Sequence, residues 1–236
     1  ATITAGGSQT YTATGYDQNN NSLGDVTGAT TFSIAPDGSC TGATCTAIIA
    51  GPHTVTGDDA GKTATATLNV TPGALNRIVL SPATATIMAG ARQTYTATGF
   101  DVDNNSLGDV TVGTLFTIAP DGSCTGATCM ANIVGPHIVT GDNAGKTATA
   151  TLNVIAGQLD HIVLSPATAT ITAGSSQTYA AMEFDLNNNS LGDVTVGTLF
   201  TILPDGSCTG ATCTATIVGP HTVTGNNGGR TATATL

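Results

Sequence analysis

Thr94, Thr96 and Thr98 alternate with Tyr95, Ala97 and Gly99, and Thr147, Thr149 and Thr151 alternate with Ala148, Ala150 and Leu152. A period of two puts hydroxyls on one face of an extended chain and apolar groups on the other, which predicts half-buried β-strands. In the stretch where the pattern is most complete, strands are predicted over residues 75–80, 84–87, 93–100, 110–118, 130–134, 137–140 and 146–154. Ser81-Pro82, the polar run 101–109, Pro120-Asp121-Gly122 and the segment 141–145 separate them as turns and loops. Many short strands punctuated by Gly, Pro, Asn and Asp predict an all-β sandwich. Long helix-forming side chains are scarce, and Glu183 is the only glutamate. The predicted core is carried by Tyr95, Phe100, Phe116, Ile118, Val134 and Leu152 and their counterparts.

The pattern recurs with a fixed step. Cys40 and Cys45 return as Cys124 and Cys129 and again as Cys208 and Cys213, always 84 residues on. Gln9-Thr10-Tyr11 and Gly51-Pro52-His53 repeat at the same step without a slip in register. Three tandem domains are therefore expected: 1–72, lacking its first strand; 73–156, complete; and 157–236, lacking its C-terminal end. The connections at 71–74 and 155–158 are too short to be floppy tethers, so consecutive domains should follow one another stiffly. Ala1 aligns with Ala85 and Ala169, inside a repeat, and the chain reads as a window on a longer array. A function based on one pocket needs one copy; equal copies in line suit reach, avidity or polymerisation.

Charge narrows the partners. Five basic residues against a net charge of −10 cannot form a groove for a phosphate backbone, so no nucleic acid is expected. No apolar run approaches a membrane span. The cysteine pairs (Cys40 with Cys45, Cys124 with Cys129, Cys208 with Cys213) read as local structural disulfides in an oxidising compartment. Zinc needs more ligands than one such pair supplies, and a redox site needs a Cys-x-x-Cys opening a helix.

The runs Gln93-Thr94-Tyr95-Thr96-Ala97, Asn105-Ser106-Leu107-Gly108-Asp109-Val110-Thr111, Gly135-Pro136-His137 and Lys146-Thr147-Ala148-Thr149-Ala150-Thr151-Leu152 resemble the bacterial immunoglobulin-like tandem repeats of cell-surface proteins, including invasin- and intimin-type arrays. The resemblance covers the whole chain and implies immunoglobulin-like sandwiches, secretion, and a place in stalks, adhesins or fibres. Most such repeats lack the cysteine pair, so the resemblance assigns that loop no role.

The polar loop offers the main candidate sites. Asp17, Asp101 and Asp185 open Asp-x-(Asn/Asp)-x-Asn runs, the middle one with Asp103 at its third position, that partly match a calcium loop, but serine stands where its glycine belongs and no glutamate follows. An Asx turn is the preferred reading, with no metal or other cofactor. Asn20, Asn104, Asn188 and Asn69 begin N-glycosylation sequons, and the threonine-rich faces are candidates for O-linked sugar. His53, His137 and His221 each follow Gly-Pro and are expected to pack at strand ends, while the unmatched His161 is expected at the surface. No acid–base pair, Ser-His-Asp order or phosphate loop can be assembled, so catalysis is not expected. The expected function is a structural segment of an extracellular bacterial fibre or adhesin stalk, with further copies of itself as partners and covalent glycans as candidate decoration. The alternative is an array of carbohydrate- or ligand-binding modules in a secreted protein, with ice binding by threonine rows a remoter reading; the lack of tryptophan counts against sugar platforms.

Overall fold

A computed structural model describes residues 1–236, and the chain is all-β apart from two single 3₁₀ turns at Thr111–Gly113 and Thr195–Gly197. Its contacts gather into two compact units. One comprises Ala1–Pro82, Tyr95–Phe116 and Thr140–Thr149; the other comprises Ala83–Thr94, Thr117–Val139 and Ala150–Leu236. The boundaries of these units fall inside the middle copy of the repeat.

The first unit contains the whole first copy. Its larger sheet runs Thr2–Thr4, Lys62–Thr71, Gly51–Asp59, Thr31–Ala35. Thr2–Thr4 lies parallel to the final strand, Thr2 opposite Asn69, while the other pairs are antiparallel. The second layer is Ser8–Thr10, Thr44–Thr46 and Ser39–Thr41, extended by the hairpin of Thr14–Tyr16 with Ser22–Asp25. Alternation turns Val55, Leu68 and Val70 inward from one layer and Cys45 from the other, and they close one core with Tyr11, Phe32 and Ile34. The second unit contains the third copy, whose larger sheet runs Arg230–Thr235, Thr222–Asn227, Leu199–Leu203. Its early parallel strand is reduced to a single bridge from Thr168 to Thr235, and its core is Leu164, Tyr179, Ala181, Phe200, Cys213 and Val223. This arrangement, in which an early strand lies parallel to the last and the layers are joined by Greek-key crossings, is the immunoglobulin-like sandwich.

Of the middle copy, Arg77–Ser81, Thr96–Phe100 and Ser106–Asp109 pair within the first unit. Within the second, Thr84–Met88 runs parallel to Thr151–Ile155, and Arg92–Thr94 pairs with the Ser123–Thr125/Thr128–Met130 hairpin. Tyr95, Phe116 and Leu152 are buried as predicted. Val134 is not a core residue: it is 47% exposed and lies outside any strand, because its backbone serves the contact described below. Phe100 and Ile118 are only partly buried, and Arg77 lies over the Phe100 ring at 4.1 Å. The predicted strand 93–100 is two strands, since Arg92–Thr94 pairs with the cysteine hairpin and Thr96–Phe100 with Arg77–Ser81. The polar run 101–109 is likewise only half loop, because Ser106–Asp109 folds back on Thr98–Phe100.

Candidate functional site: an Asp–Asn loop at the repeat joints

Asp101 is 1% exposed, yet every oxygen of its carboxylate is met by an N–H. Oδ1 accepts from the backbone of Asp103 and Asn105 at 2.9 and 2.8 Å. Oδ2 accepts from Gly73 of the connection and from Asn105 Nδ2, both at 2.8 Å. Held in this way, the Asn105 amide reaches back to the first copy. Its Nδ2 donates to the Ile48 carbonyl and its Oδ1 accepts from the Ala50 N–H, both at 2.7 Å. The second unit repeats the arrangement. Asp185 binds the N–H groups of Gly157, Asn187 and Asn189, and Asn189 donates to the Asn132 carbonyl and accepts from Val134 N–H. Burial alone pushes the Asp185 carboxyl up, but the bonds from Asn189, Gly157 and Asn187 outweigh it and hold it at about 2. Asp101 is depressed by the same balance of burial against N–H donors.

The receiving loop is braced from behind by a second carboxylate. Asp37 Oδ2 accepts from Ile48 and Ile49 N–H at 3.1 and 3.2 Å, while Oδ1 meets Nε2 of buried His53. His53 Nδ1 donates to the Gly51 carbonyl at 3.1 Å. Asp121–His137 and Asp205–His221 repeat the pair. The hydrogen bond from His221 is the main influence on Asp205, holding its carboxyl at about 2 despite desolvation, and Asp205 in turn raises the His221 pKa. The three histidines do lie buried at strand ends, but their aspartate partners sit sixteen residues upstream and were not read from the sequence. Aspartate and histidine recur sixteen residues apart in all three copies, but their neighbours in Pro-Asp-Gly and Gly-Pro-His recur as well, so the repeat alone does not single out the pair.

The remaining candidates lie apart from this contact. Each cysteine pair is a closed disulfide between directly opposed residues of one hairpin. The oxygens of Asp17, Asp101 and Asp185 face N–H donors, Asp103 is exposed, and no three acidic, His or Cys side chains converge as metal ligands. Asn20, Asn104 and Asn188 are exposed at the tips of the loops with φ of 61, 66 and 63°. Asn104 accepts from Arg77, and Asn69 is exposed on the Lys62–Thr71 strand. His161 is not simply a surface residue; it stacks on Phe184 at 5.6 Å. No helix is long and apolar enough to cross a membrane.

The fold therefore defines a tandem immunoglobulin-like protein whose successive copies are joined by an Asp–Asn clasp. No protein-family model matches the chain, and no curated protein does. Among solved structures, the chain is similar to FdeC, a broadly conserved Escherichia coli adhesin, at 18% identity over 99% of this chain and 92% of that one, with a TM-score of 0.48. It is also similar to domains 4–9 of the surface-layer protein SbsC (20% identity, 98% and 42% covered, TM-score 0.30). A three-domain titin segment matches at 10% identity with 99% and 93% covered and a TM-score of 0.36.

Proposed function

We propose that this chain is a load-bearing segment of an extracellular bacterial fibre or adhesin stalk, with 1–72, 73–156 and 157–236 acting as serial domains. One observation carries the reading: the same two-bond amide clasp closes at both joints, through Asn105 onto Ile48 and Ala50 and through Asn189 onto Asn132 and Val134. A tether between independent binding modules needs no such clasp, whereas a stalk that transmits force needs each joint fixed. Three local disulfides support an oxidising, extracellular setting. The exposed sequon asparagines are candidate sites for glycans, and further copies of the repeat are the expected neighbours along the fibre.

Probes carried by unnatural amino acids at exposed, equivalent Ser33 and Thr201 test the proposal. The expected result is a narrow distance distribution that broadens when Asn105→Ala and Asn189→Ala are combined. A broad distribution in the unsubstituted chain overturns the stalk reading. Saturable binding of a glycan by the chain, found on an array, replaces it with the binding-module reading.

A further inference from the structure

In each copy the larger sheet ends on the same strand: Thr31–Ala35, Leu115–Ala119 and Leu199–Leu203 stand last in the order of their sheets. The middle copy shows it as the others do, so this edge does not depend on where the chain begins or ends. Leu199–Leu203 pairs antiparallel with Thr222–Asn227 and has no strand on its other side. Alternation buries Phe200 and Ile202 and turns Leu199, Thr201 and Leu203 outward. Leu199 is 67% exposed and Leu203 70%.

An open edge invites pairing with another chain, and proteins commonly guard it with a lysine, an inward-pointing charge or a bulge. This strand has none of the three. Residues 194–204 carry no charge in a chain of net charge −10, and the pairing with Thr222–Asn227 runs without a shift in register. Pro204 ends the strand but stands outside it. The outer face of the sheet is otherwise polar: Leu199 lies in line with Asn226 and Thr231, and Leu203 with Thr222 and Thr235. The large apolar side chains of that face therefore stand on its open edge. The outward residues differ between copies, being Thr31, Ser33 and Ala35 in the first and Leu115, Thr117 and Ala119 in the second. Only the third copy reads the same in both directions, with a leucine two residues to either side of a threonine.

We infer that the Leu199–Leu203 edge is a homotypic interface, through which the third copies of two chains pair antiparallel about a two-fold axis at Thr201. In that register Leu199 of one chain lies opposite Leu203 of the other, Phe200 opposite Ile202, and Thr201 opposite itself. A two-fold contact requires that residue i meets j while j meets i, and this strand matches itself at every position. The main chains complete the ladder, and the leucine pairs supply the selectivity. The edge is neutral, so a charged partner finds nothing to pair with there, whereas a second copy of the strand brings the matching leucines. The inference goes beyond the stalk reading and does not rest on it, since pairing at this edge needs no stiff joint.

Sedimentation equilibrium of the full chain, followed to about 1 mM, tests the interface. The expected result is a rise with concentration from the mass of one chain to that of two and no further, with amide exchange in residues 199–203 slowed as the dimer forms. Leu199→Thr combined with Leu203→Ala gives the third copy the residues that the first carries at the same places, Thr31 and Ala35, so the sandwich is kept. This variant should associate at least about tenfold more weakly, because the apolar side chains at the contact are lost. Thr201→Lys, which sets two ammonium groups opposite one another at the axis, should do the same. A single chain at every concentration, growth beyond two chains, association unchanged in either variant, or protection anywhere but at 199–203 overturns the interface. The Ser33–Thr201 distances are read within one chain, diluted in unlabelled chain, so this inference and the stalk reading fail separately.

Discussion

Asn189 combines an amide nitrogen that donates to the Asn132 carbonyl and to Asp185 with an amide oxygen that accepts from Val134 N–H. Asn189→Ala leaves the Val134 N–H and the Asn132 carbonyl without their partner. Both bonds are solvent-exposed, so the expected cost is about 0.5–1.5 kcal/mol in urea unfolding, with faster exchange of the Val134 amide. Asn189→Asp should cost more, since it sets a second carboxylate beside Asp185 and turns a donor into an acceptor facing a carbonyl. The carboxylates also set the pH dependence. Asp185 and Asp205 are held at about 2, below the ordinary 3.8, so their contribution is complete above about pH 4 and is lost as pH falls towards 2. His221 has the opposite sign: raised above 6.5 when folded, it contributes fully below that pH and less as pH climbs through its folded value. Melting temperatures measured from pH 2 to 9 should therefore fall at both ends. Asp205→Asn should flatten part of the acid limb and remove the His221 contribution on the alkaline side. The sequence made the Asp-x-x-x-Asn loop legible as a turn because the oxygens repeat in register. It did not show that the second asparagine is a clasp, since the partners of Asn105 are main-chain groups more than fifty residues upstream.

At the scale of elements, the cysteine hairpin shows what the sequence revealed and what it hid. The spacing Cys124 to Cys129 gave the bridge directly, and the structure places the two residues opposite one another between Ser123–Thr125 and Thr128–Met130. The sequence did not show that this hairpin captures Arg92–Thr94 and so divides one alternating run between two partners. Period two records which face a residue occupies, and it is silent on which neighbour completes the ladder. Val134 was misassigned for a related reason: it reads as the last core residue of a strand over 130–134, but the strand ends at Met130, and here the Val134 N–H serves the joint while its side chain stays out. Cys129 is fully buried, so replacing both Cys124 and Cys129 by serine removes a cross-link and puts a hydroxyl into the core. The cross-link alone should account for about 2 kcal/mol by the loop-entropy estimate. Replacing both by alanine isolates that term, and the difference between the two variants in chemical denaturation measures the buried hydroxyl. Leu152→Ala, at a site with no exposure, should cost about 2–5 kcal/mol by the same measurement.

Across the whole chain, the clasp recurs where one copy meets the next: Asn105 binds Ile48 and Ala50 of the first copy, and Asn189 binds Asn132 and Val134 of the second. Each clasp joins only two neighbouring copies, so in a serial array its loss is felt at one joint and not at the other. Asn105→Ala should therefore speed amide exchange at Ala50 and leave Val134 unchanged, and Asn189→Ala should do the reverse. Hydrogen exchange under rising urea reads both amides in one experiment. Faster exchange at both amides in either single variant would mean that the copies open as one unit, and the picture of separately fixed joints fails at that step.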